Sequence, residues 1–171
     1  MTPLINIDEL KLIRDIGNKP DVNKINPIIL QAQDVDLRDY LGMKFYFDVL
    51  ANAEQPSYQH LLSGSTFQYD GISFYHEGLR SMLADLIMAR YTNEINVNIT
   101  PFGAVVKTSD QSVPVDRNSL RDKAQIERTA AASKWEIIKL YLKSNRVLFP
   151  IYNNSPDSSI SGEKKLRIRK L

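Results

Sequence analysis

A chain of 171 residues with 43% apolar and 25% charged side chains is long enough to bury one core without a staple, because folding at this size hides roughly 70% of the unfolded surface. Cysteine is absent, which excludes disulfides, thiolate nucleophiles and Cys-based zinc sites together. The net charge of +2 is too small to argue for nucleic acid by itself, yet the charge is uneven: from Arg146 to Leu171 six basic residues stand against Asp157 and Glu163.

The opening MTPLINIDEL has neither a basic n-region nor an apolar h-region, so no signal peptide is expected, and no apolar run approaches the ~18 residues of a spanning helix. A first short helix is expected from Ile7 to Ile16, capped by Asp8 or Asn6 and ended by Gly17. NKPDVN, from Asn18 to Asn23, is turn chemistry in which Asp21 can act as a cap. A second helix runs from about Lys24 to Tyr40, with Pro27 in its first turn, Ile25, Ile28, Ile29, Ala32 and Val35 facing inward, and Gly42 at its end. MKFYFDVLANA then reads as a short helix through Phe45, Val49 and Leu50, stopped by Pro56, and Ser57 to Leu62 can add one more turn.

Between Thr66 and Tyr75 the pattern changes to aromatic and β-branched residues around Asp70-Gly71, a two-residue hairpin signal. Two strands alone are marginal in water, so this hairpin must lie on helices or pair with another chain. Glu77 to Asn93 is a helix with Leu79, Met82, Leu83, Leu86, Ile87 and Tyr91 on a broad apolar stripe. The link from Glu94 to Asp116 carries Pro101, Gly103 and Pro114 and is long for a plain connection, so it is extended along the surface or has a function of its own. From Asn118 to Asn145 there is no Gly or Pro, and Leu120, Ala124, Ala131, Trp135, Ile138 and Leu142 form one stripe that Glu127 interrupts. This long helix is expected to be the scaffold along which the rest packs. The expected fold class is mainly α: a helical bundle around that helix, with a small β-hairpin, an extended crossing and a tail. The domain boundary falls at residue 152, with residues 153–171 a flexible basic tail closing on KKLRIRKL.

Catalytic motifs are sparse. His60 and His76 are the only histidines, neither lies in HExxH, and both read as surface or loop residues; no metal or cofactor is expected. Ser63-Gly64-Ser65 lacks the flanks of a nucleophile elbow, and no phosphate-cradling glycine motif is present. Asp34, Asp36 and Asp39 in DVDLRD are the best carboxylate cluster; Asp34 and Arg38 at i,i+4 explain it as a solvated face, and a divalent-ion enzyme is the weakest reading. Phe45, Tyr46, Phe47 and Trp135 read as core. In the tail, Lys164, Lys165, Arg167, Arg169 and Lys170 alternate with Leu166 and Ile168; they can neutralise phosphates, add as a strand to a neighbouring edge, or remain a solvated terminus.

The order of segments resembles a known family. INPIILQAQDVDLRDYLGMKFYFDVL, with Leu41-Gly42, Phe45-Tyr46 and Val49-Leu50, is followed by the Asp-Gly hairpin, EGLRSMLADLIMARY, NITPFGAVVKTSDQSVPVD and the long helix. From about Ile25 to Tyr152 this is similar to the head-tail connector, or neck adaptor, proteins of tailed bacteriophages, including those of Bacteroidetes phages and prophages. TPFGAVVK with Ser112 and Pro114 is the most telling piece; KKLRIRKL lies outside the likeness. The resemblance implies a structural virion protein of the phage neck, made in the host cytoplasm and without enzymatic activity. It would form a ring of copies between portal and tail or neck proteins, with DNA passing non-specifically through the channel and no membrane involved. Under it Thr100, Pro101, Phe102 and Gly103, together with Lys164, Lys165, Arg167, Arg169 and Lys170, are the candidate partner-binding residues. The alternative is a nucleic-acid-binding module that uses the basic tail.

Overall fold

A computed structural model describes residues 2–16, 21–94 and 116–154 in full, and the backbone of 97–100 and 103–106. Gly17, Pro20, Pro101, Phe102, Ser112, Pro114 and the tail from 155 onward, all of which carry expectations, lie outside the described residues.

The first helix, α1 (Ile7–Ile13), starts at Asn6. The Asn6 side chain accepts from the Glu9 N–H and the Glu9 carboxylate accepts from the Asn6 N–H, both at 2.9 Å, so two otherwise orphaned donors are satisfied. The second helix, α2 (Val22–Gln31), starts at Asp21, whose side chain accepts from the Asn23 N–H. Because it begins at Val22, Pro27 lies inside it, beyond the first turn. The helix then widens into a π-helical segment, Ala32–Leu37, before α3 (Arg38–Leu41) and a stop at Gly42, where φ is +74°. Ile25, Ile28, Ile29 and Ala32 are buried as expected, but Val35 is 50% exposed, and Gln33 and Leu37 are buried in its place. Wide turns rotate the later side chains away from a 3.6-residue stripe. Gln33 is buried because it has work inside: its Oε1 accepts from the Leu4 N–H at 2.7 Å, tying the N-terminal segment to the bundle.

Past Gly42 come α4 (Met43–Ala51) and α5 (Pro56–Ser63), and Pro56 opens the latter at its first position rather than merely stopping the former. Then β1 (Ser65–Tyr69) pairs antiparallel with β2 (Ile72–His76) in the register Tyr69↔Ile72, Phe67↔Phe74, Ser65↔His76. Asp70 (φ +49°) and Gly71 (φ +77°) make the two-residue turn with both central residues left-handed, as a type I′ hairpin requires. One face of this hairpin lies on the long helix, with Phe67 and His76 at ring-centroid distances of 5.4 and 4.3 Å from Tyr141. The opposite face, Thr66, Gln68, Ser73 and Tyr75, is exposed.

The next helix, α6 (Gly78–Glu94), is buried on nearly every side: Leu79, Met82, Leu83, Ala84, Ile87 and Ala89 are all at most 1% exposed. It, more than the long helix, is the element the others surround. The long helix, α7 (Arg117–Ser144), is its chief neighbour and is capped by Asp116. Its inner stripe is Ala124, Ala131, Trp135, Ile138, Tyr141 and Leu142, with Leu120 half-buried near its start. A last turn, α8 (Pro150–Asn153), folds back so that Phe149 and Tyr152 meet Phe45, Tyr58 and Trp135 edge to face or tilted. Between α6 and α7 the crossing is not plainly extended. Its described part forms a second antiparallel hairpin, β3 (Val97–Thr100) with β4 (Gly103–Val106). The fold is mainly α, with two separate two-stranded sheets among the described residues.

Candidate assembly surface and buried charge cluster

Asp85 is fully buried in the middle of α6, where the end of α1 and the middle of α7 meet it. A carboxylate in that position needs cations, and both neighbouring helices supply one. Arg14 donates Nη2 to Asp85 Oδ1 and lies 3.6 Å from Glu127, the residue that interrupts the apolar stripe of α7. Lys134 Nζ lies 2.9 Å from Asp85 Oδ2, 2.9 Å from Glu77 Oε2 and 2.7 Å from Ser81 Oγ. Ser81 in turn donates to Glu77 at 2.6 Å. That hydrogen bond, with Lys134 beside it, holds the Glu77 carboxyl below its ordinary range.

These groups pair with one another across three helices. Beside the cluster runs an open groove of about 370 Å³ lined by Glu9, Leu12, Ile13, Tyr75, Glu77 and Arg80. Arg80 is itself engaged, donating Nε to the Leu4 carbonyl and Nη1 to Ser63 Oγ, each at 2.9 Å. The cluster therefore acts as a staple joining α1, α6 and α7.

The other candidates are absorbed in the same way. Contrary to the surface reading, His76 is 1% exposed; its Nε2 lies 2.9 Å from Ser65 Oγ and its ring packs on Tyr141. Burial, with His60 nearby, pushes its pKa down to about 4, so it is neutral at pH 7. Ser65 and His76 face each other across the hairpin toward α7, away from solvent, and are a packing pair. His60 is exposed. In DVDLRD the wide π turn breaks the expected i,i+4 geometry: Asp34 accepts from the Tyr46 hydroxyl instead of meeting Arg38. Asp36 takes Arg90 bidentately, with Nη2–Oδ1 at 2.9 Å. Burial and then the Asp34 bond push the Tyr46 phenol up to about 12. Phe45, Tyr46 and Trp135 are core as expected, whereas Phe47 is 48% exposed. No group of three or more His, Cys, Asp or Glu placed to hold a metal ion occurs among the described residues, and none of their helices is long and apolar enough to cross a membrane.

Of the residues expected to bind partners, Thr100 and Gly103 are the last pair of the β3–β4 ladder. Pro101, Phe102, Lys164, Lys165, Arg167, Arg169 and Lys170 lie outside the described residues. Among the described residues, the ladder in which Thr100 and Gly103 stand has no third strand, and neither does β1–β2. Sequence reasoning misses this second hairpin and the staple. Asp85 within LADLIMAR and Glu127 on the opposing stripe are the available signal, two charges on faces that should be apolar.

Residues 37–161 match the model of a family of unknown function, DUF6712. The chain belongs to that family. The DUF6712 match takes in both hairpins, α6 and α7, with Asp85, Glu77 and Lys134; Arg14 and the first two helices precede it. No curated protein matches the chain. Nor does any solved structure.

Proposed function

We propose that this DUF6712 chain is a structural virion subunit, a head-tail connector that assembles with copies of itself into a ring between portal and tail, through which DNA passes. Two lines support the reading: the likeness in segment order from Ile25 to Tyr152, and the distribution of bonding capacity over the fold. The observation that carries it is the second. At Asp85–Arg14–Lys134–Glu77 and Asp36–Arg90 the ionisable side chains that lie between helices are spent on one another, while among the described residues two hairpins keep strand edges with backbone groups to share. Such a molecule works by contact with copies and neighbours rather than by chemistry on a small substrate. Electron microscopy of the purified chain tests this: annular particles of uniform diameter are expected, and a field of single small particles, with and without purified portal, counts against it.

The basic run at Lys164, Lys165, Arg167, Arg169 and Lys170 favours a second reading, a nucleic-acid-binding module. Under it, deletion of residues 164–171 flattens a steep salt dependence of DNA affinity; an unchanged slope removes it.

A further inference from the structure

In each ladder the closing pair is separated by two positions in sequence, the register in which that pair is hydrogen-bonded and alternate pairs are not. In β1–β2 the bonded pairs are Tyr69↔Ile72, Phe67↔Phe74 and Ser65↔His76, which leaves the backbone groups of Thr66, Gln68, Ser73 and Tyr75 pointing outward along the edges. In β3–β4 the bonded pairs are Thr100↔Gly103 and Asn98↔Val105, which leaves those of Val97, Ile99, Ala104 and Val106. Among the described residues no turn, cap or loop bond reaches any of these groups.

Open edges are ordinarily blunted by Lys, other charges, Pro or a bulge. Here none of the residues of the four strands is Asp, Glu, Lys, Arg or Pro, in a chain of which 25% is charged. The β2 edge also carries Ile72 and Tyr75, 60% and 59% exposed. Two residues, 95–96, separate the β3–β4 ribbon from the end of α6, and nine residues, 107–115, separate it from Asp116; nine residues reach at most about 30 Å, enough to hand the ribbon to an adjacent molecule.

We infer that the β3–β4 ribbon of one copy adds edge to edge onto β2 of the next copy, making a four-stranded sheet shared between two subunits. This rests on the ring reading and specifies its contact. A ring needs two different, complementary surfaces on each copy, and these two ribbons are such a pair. Main-chain hydrogen bonds supply the attraction, and burial of Ile72 and Tyr75 adds to it.

Proline at an outward-facing position removes an edge N–H without touching the hairpin's own ladder. The full chain is therefore compared by light scattering with Ser73→Pro and with the double variant Ile99→Pro/Ala104→Pro. The wild type assembles to many times 19.5 kDa, each variant alone falls to monomer, and an equimolar mixture of the two variants gives dimers, because each supplies the surface the other lacks. A variant that assembles like the wild type, or two variants with wild-type unfolding transitions that form no dimers on mixing, overturns the inference and leaves the ring reading standing. A wild-type chain that stays monomeric at every concentration overturns the inference too, and portal binding then decides the ring reading separately. Because the chain is free of cysteine, Ser73→Cys and Ile99→Cys chains with a short bis-maleimide give an arm that does not depend on proline. Linkage only between the two different variants is expected, and linkage of either variant mainly to itself overturns the proposal.

Discussion

Arg14, where α1 ends, donates a hydrogen bond to Asp85, a carboxylate with no exposed surface in the middle of α6. That contact spans 71 positions of sequence and fixes the first helix to the two that carry most of the core. Replacing Arg14 by Met leaves Asp85 with Lys134 as its remaining cation and is expected to cost about 2–3 kcal/mol. This is less than for a fully buried pair, because the Arg14 side chain is 30% exposed. Urea denaturation of the variant measures it, and adding Asp85→Asn should recover part of the loss, since the uncompensated charge is then gone.

Gly78 opens α6 with φ +86°, and a Cβ there would stand 2.4 Å from the Leu62 carbonyl oxygen and 2.5 Å from the Gly64 nitrogen. Neither backbone can yield without separating α5 from α6. Gly78→Ala is expected to lose upward of about 3 kcal/mol or to fail to fold, whereas Gly71→Asn at φ +77°, with nothing within 4 Å, is expected to stay within about 1 kcal/mol of wild type. Thermal unfolding of the two variants side by side checks the contrast.

His76 gives a pH dependence with a definite sign. Burial lowers its pKa to about 4 in the folded chain, below the ordinary 6.5, so the unfolded chain takes up the proton first. Its contribution to stability is complete above pH 6.5 and is lost as pH falls from there toward 4, by roughly 3 kcal/mol in total. In His76→Phe this part of the slope between pH 6.5 and 4 should vanish; a slope equal to that of wild type would show that His76 is not held neutral.

The sequence disclosed those elements whose pattern is local. The caps at Asn6 and Asp21, the Asp70-Gly71 turn and the stripes of α6 and α7 are each written within a few residues, and the chain folds accordingly. What stayed hidden depends on distant partners or on a changed period. Val35 leaves its stripe because the helix widens at Ala32–Leu37, and that widening accompanies Gln33 holding Leu4 and Asp36 holding Arg90. The β3–β4 hairpin escapes notice because VNIT and GAVV are short and carry no Asn-Gly or Asp-Gly turn. Residue type alone places His76 at the surface, and only the packing of Tyr141 and Phe67 around it shows why it is inside. The candidate residues of the crossing include the ladder's closing pair, Thr100 and Gly103, though the reason for singling them out is resemblance and not strand geometry.

Whether the chain is a ring-forming connector is read from its solution mass as concentration rises, alone and with purified portal. A connector subunit gives a discrete species many times heavier than 19.5 kDa, or a monomer that joins the portal in a fixed ratio. A chain that remains 19.5 kDa at every concentration and leaves the portal unaltered would contradict it.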